Sequence, residues 1–130
     1  MLRRSEDNAK AALLLLGKRN YNGSVVAFYY SVLQRMMYAL NETDRRPLKY
    51  ESQNPLNEEL HHKILTEITN RIDSRRDEDG FKVQFEYLFE LRKKADYEAE
   101  NITQDECAKS RTLYEGLMEK LNRLFPIKAV

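Results

Sequence analysis

Apolar residues recur along this chain at helical spacing in five separate segments. The first, from about Ser5 to Leu16, places Ala9, Ala12, Leu13 and Leu16 at i, i+3, i+4 and i+7, one face of a helix. Ser5 precedes Glu6 and Asp7, acids suited to a first turn, and Gly17 is suited to the left-handed residue that ends many helices. The second runs from Asn20 or Asn22, either of which can cap it, to about Leu40. Its stripe is Val25, Tyr29, Val32, Met36 and Leu40, widened by Val26, Phe28, Tyr30, Leu33 and Met37 until most of the circumference is apolar. Such a helix is buried on more than one side, so it is expected at the centre of the fold. Tyr29, Tyr30 and Met36 are read as core and as contact to a second copy of the chain.

Residues 41–55 break the pattern. Pro47 and Pro55 flank a polar run that is locally basic at Arg45, Arg46 and Lys49, which predicts a surface loop. A third segment, about Asn57 to Arg75, repeats Leu60, Ile64, Ile68 and Ile72 every four residues, with His61 and His62 in its first turns. Arg71 to Asp79 is charged and closes on Gly80, which reads as a turn. The fourth, about Phe81 to Ala95, spaces Phe81, Phe85, Leu88 and Leu91 at i, i+4, i+7 and i+10, with Val83 and Phe89 on a second face. Alternation at Phe81, Val83, Phe85 and Tyr87 also permits a strand, but no other segment reads as one to pair with. The fifth, about Thr103 to Phe125, opens on Thr103-x-x-Glu106, a capping box, and carries Ala108, Leu113, Leu117, Leu121 and Leu124 before Pro126. Cys107 falls on its polar side. The pattern predicts an all-α, antiparallel bundle of four to five helices in one domain spanning residues 1–130.

Composition adds limits. The 130 residues include 22 Lys and Arg against 21 Asp and Glu, so an anion site must be a local concentration of charge. A single cysteine excludes an intramolecular disulfide and fits a cytoplasmic setting. The apolar run Ala11–Leu16 is too short to span a bilayer, so no membrane association is expected.

The densest chemistry is Leu91-Arg92-Lys93-Lys94-Ala95-Asp96-Tyr97. Arg92 lies about 100° from Leu91 on the helix, at the seam between core and solvent, where a guanidinium could fork onto a phosphate. Asp96 at i+4 is its natural intrahelical partner. His61 or His62 could approach from the third helix, but with Glu58 they are too few ligands for a metal site, and no cofactor is implied.

The order of these features resembles the HEPN superfamily of small α-helical bundles. The features are a leucine-rich first helix with a glycine turn, the aromatic pair in Phe28-Tyr29-Tyr30-Ser31, histidines opening the third helix, Arg92-x-x-x-Asp96-Tyr97, and a capped acidic fifth helix. The chain is similar to the prokaryotic group with an "AYYA"-like second helix and an R-x-x-x-D-Y motif. The resemblance implies a HEPN-type bundle that dimerises, with Arg92, Asp96 and Tyr97 as candidate catalytic residues and Lys93, Lys94, His61 and His62 as nucleotide or RNA contacts. Members include metal-independent endoribonucleases of toxin–antitoxin or defence type, and others pair with a minimal nucleotidyltransferase. The family's nuclease motif separates the Arg from a following His by four to six residues. Here Tyr97 stands in the place where that His could first fall, and no His follows Arg92. Two functions are therefore expected: an RNA- or nucleotide-facing HEPN protein that cleaves RNA with a degenerate motif, or a catalytically inactive dimerisation and binding module that partners a nucleotidyltransferase.

Overall fold

In a computed structural model the described residues form five α-helices: α1 (Leu2–Gly17), α2 (Tyr21–Thr43), α3 (Glu58–Thr69), α4 (Arg75–Tyr97) and α5 (Gln104–Leu124). The structure describes residues 1–43, 58–97 and 101–127, the side chains of Thr43 and Tyr97 excepted. Most of the expected loop, including Arg45, Arg46 and Lys49, lies outside the described residues. The described residues contain no strand, so Phe81 to Tyr87 is helical.

α2 is the central helix, as its pattern predicts. Val25, Tyr29, Val32, Met36 and Leu40 are all fully buried, and α2 packs against each of the other four helices. Tyr29 and Met36 therefore spend their surface inside their own chain. Of the three residues expected at a dimer contact, only the half-buried Tyr30 retains any surface to offer. Asn20 supplies the cap of α2, its side-chain oxygen accepting from Gly23 N at 3.0 Å. Asn22 has a different job: it donates to Ala95 O at 3.2 Å and accepts from Ile102 N at 2.9 Å, joining the end of α4 to the approach of α5.

α1 starts before Ser5. Ser5 is buried and exchanges hydrogen bonds with Ser31, each hydroxyl donating to the other residue's carbonyl at 2.7 Å. Small residues at this contact let α1 lie close on α2, and Ala12 is fully buried there while Leu13 stays 47% exposed. The left-handed residue after α1 is Arg19 (φ 60°), not Gly17.

The expected turn at Gly80 is absent because α4 begins earlier, at Arg75. Ser74 Oγ accepts from Asp77 N at 3.3 Å, and Asp77 and Glu78 complement the amide end of the helix dipole. The charged run is thus a first helical turn, held to α5 by the Arg123–Asp77 ion pair at 3.0 Å. The Thr103–Glu106 capping box forms as expected, at 3.1 and 3.0 Å. One residue on, Cys107 is fully buried, whereas Ala108 is exposed, so the core face of α5 lies one position N-terminal to the expected start. At the other end of α5, the buried Arg35 donates to Asn122 Oδ1 at 3.2 Å and to Phe125 O. A cation there satisfies carbonyls that the helix leaves open.

Candidate functional site

The stripe Phe81, Phe85, Leu88 and Leu91 is buried along its length and turns α4 toward α2. α3 closes over the same region and brings His61 into it. Three elements thus converge on one aromatic stack. The His61 ring lies 3.6 Å from the Phe89 centroid and 4.5 Å from that of Phe85, and Tyr29 stacks on Phe85 at 5.7 Å. Tyr29 Oη sits 3.0 Å from His61 Nδ1.

Arg92 ends this stack. Its guanidinium carbon lies 5.1 Å from the Tyr29 ring centroid, 5.9 Å from Tyr30 and 5.7 Å from Phe89. Its Nε donates to Asp96 Oδ2 at 3.2 Å. The expected pairing with Asp96 is therefore present, but the expected position at the seam is not: Arg92 is fully buried. One step off the stripe remains interior here because α2 covers that side of α4 with Tyr29 and Tyr30. A guanidinium tolerates this setting because it is weakly hydrated and stacks on aromatic faces.

The electrostatics follow from burial. Removal from water pushes His61 down from its ordinary value to about 3, with smaller contributions from His62, Arg92 and Lys93. His61 is accordingly neutral at pH 7 and weakly basic. Burial raises the Tyr29 phenol, which Arg92 partly offsets, so Tyr29 is a neutral hydroxyl.

Outside the stack, Lys93 and Lys94 are already engaged. Lys93 Nζ lies 3.2 Å from Glu58 and 3.5 Å from Glu90, and the Glu58 contact is the main cause that raises its pKa. Lys94 Nζ meets Glu106 of the capping box at 2.8 Å. Each expected anion contact thus has a carboxylate beside it. His62 faces solvent, and Glu86, unremarked in the sequence, stands between it and His61, at 3.8 and 3.5 Å. Nothing in the sequence marks Glu86, which is joined to the histidines only by the packing of α3 on α4. The Tyr97 side chain lies outside the described residues.

The structure therefore brings together Arg92, Tyr29 and His61 in the interior, with the half-buried Tyr30 and the exposed Asp96 at the edge of the cluster. Lys93 and His62 stand at its rim, and Lys94 is turned toward α5. The exposed side of α4 carries a second feature. Val83 and Tyr87, 68% and 48% exposed, line a groove together with Lys82, Glu86, Glu90 and Lys94. No described helix is long and apolar enough to cross a membrane. The chain matches no family model, no curated protein and no solved structure.

Proposed function

We propose that this chain is a catalytically silent HEPN-type binding module that docks a protein partner of the minimal nucleotidyltransferase class. The observation that carries this reading is the burial of both groups a nuclease would need. Metal-free RNA cleavage requires a base at the 2′-hydroxyl and a cation at the phosphoryl oxygens. Arg92 and His61, the groups best suited to those roles, are 0% and 1% exposed, and His61 is a weak base besides. The resemblance supplies the class of partner; the exposed face of α4 suggests where it would bind. Lys82, Glu86, Glu90 and Lys94 set two carboxylates between two ammonium groups beside Val83 and Tyr87. A polyanion would meet repulsion and attraction in similar measure along that border, whereas a protein surface can match it.

The second reading, a metal-independent endoribonuclease, draws on the convergence of Arg92, His61 and Tyr29. It requires α3 to part from α4 before RNA can reach them. Co-expression with the minimal nucleotidyltransferase encoded nearest this gene tests the proposal. Co-elution that is lost with Val83→Asp but kept with Leu14→Asp, a change on the 61%-exposed far side of α1, is the expected result. Absence of a complex, or a complex indifferent to Val83→Asp, would refute docking through α4.

A further inference from the structure

We infer that His61, His62 and Glu86 form a binding site for a zinc-class divalent metal ion. Among the described residues, these three offer ligand atoms that all lie within 4.8 Å of one another. Glu86 Oε1 stands 3.5 Å from His61 Nε2 and 3.8 Å from His62 Nδ1. Two ligand atoms on a tetrahedral zinc ion, each about 2.0–2.1 Å from the metal, are about 3.4 Å apart. The His61–Glu86 separation already matches that distance. His62 is 61% exposed and Glu86 38% exposed at the side chain, so both can close the remaining gap by rotation.

The decisive atom is His61 Nε2. It is buried, has no hydrogen-bond partner, and points at the Glu86 carboxylate. A buried polar atom left this way is costly unless something satisfies it. The other ring nitrogen is already served, because Nδ1 lies 3.0 Å from Tyr29 Oη. If Nδ1–H donates to the phenol oxygen, the Nε2 lone pair is left for a metal, which is the usual division of labour in a ligating histidine. Stacking on Phe85 and Phe89 fixes the ring plane. His62 and Glu86 open the site to solvent and give an ion a path in.

Two cations stand nearby and set a limit on affinity. Arg92 is paired with Asp96 at 3.2 Å, and Lys93 lies between Glu58 and Glu90, so each is largely compensated by carboxylates. Three protein ligands leave a fourth position for water, and the ion would tie the start of α3 to the middle of α4. Glu86 also borders the α4 groove, so metal binding is tested on the chain alone, apart from any partner.

The test uses the full chain freed of metal by chelation, with Co²⁺ and Zn²⁺ as probes. The expected result is one Co²⁺ per chain with the visible bands of a four- or five-coordinate site, and displacement of it by Zn²⁺. The chain has only two histidines, so ring resonances in NMR report the site directly, and both should shift on adding Zn²⁺. His62→Ala, at an exposed position, and the isosteric Glu86→Gln should each weaken Co²⁺ binding about tenfold or more while leaving the circular dichroism spectrum unchanged. Absence of binding to the wild-type chain, or affinity unchanged in both variants, would overturn the inference. An intense near-ultraviolet thiolate band would also overturn it, since that would make Cys107 the ligand.

Discussion

Truncating Arg92 tests whether it supports the fold or serves as an exposed anion contact. Arg92→Ala removes a charge-assisted bond to Asp96, worth about 1.5–3 kcal/mol. Because the Asp96 side chain is 28% exposed, water recovers part of that loss, and the lower end of the range applies. The guanidinium also leaves three rings at 5.1–5.9 Å, each contact contributing about 0.5–1 kcal/mol, and an unfilled space remains between α2 and α4. The sum is a loss of about 3–5 kcal/mol. Urea unfolding followed by far-ultraviolet circular dichroism suits a chain without Trp. With a slope of about 2 kcal/mol per molar urea, the midpoint should fall by about 2 M. Arg92→Lys keeps the charge but loses the planar stack, and should fall between wild type and Arg92→Ala. A midpoint for Arg92→Ala within about 0.3 M of wild type would refute the argument. It would mean that the side chain spends its time in solvent, and would return Arg92 to the seam its spacing suggests.

Three further outcomes are expected. His61 is held below its unfolded pKa of 6.5, at about 3, so the unfolded chain binds the extra proton. Stability should be fully present above about pH 6.5 and fall as pH drops toward 3, by at most about 1.4 kcal/mol per unit. Urea midpoints in EDTA at pH 7 and pH 5 should therefore diverge more for wild type than for His61→Phe, and equal pH dependence in the two would contradict the burial of a neutral imidazole. Gly80→Ala should stabilise by about 0.5–1 kcal/mol, since Gly80 is inside α4 and an added Cβ would meet only the flexible end of Lys120, Cε at 3.7 Å and Nζ at 3.9 Å; a lower melting temperature would restore the turn. Asn22→Ala removes both bonds between the end of α4 and the approach of α5. It should cost about 1–3 kcal/mol, with hydrogen exchange at the Ile102 amide accelerated beyond the global change; unchanged protection at Ile102 would show that the clip is not formed.

The bundle was legible because each helix carries enough apolar residues to fix its period. The second segment also announced its central place through its apolar circumference. Two errors came from local signals that admit a second reading. Gly80 after a charged run looks like a turn, yet Ser74 with Asp77 and Glu78 makes the same run a helix start. Cys107 and Ala108 exchange places because a one-residue difference rotates the face by about 100°, and small residues do not decide between the two. At the site, the Arg92–Asp96 pair could be read from i, i+4 spacing. The burial of Arg92 could not, because a single helix pattern does not say that a neighbouring helix will cover its seam with two tyrosines. Glu86 was hidden for the same reason: it lies 24 residues beyond His62 in sequence and meets the histidines only through the packing of α3 on α4.

The central claim is that Arg92 and His61 are interior groups and that the chain binds without cleaving. Incubating the purified chain with mixed cellular RNA in EDTA, beside Arg92→Lys, tests it most directly. Intact RNA with both proteins, each shown folded by circular dichroism, is the result expected. Cleavage by wild type that Arg92→Lys abolishes would contradict the claim and establish a nuclease whose site opens when RNA binds.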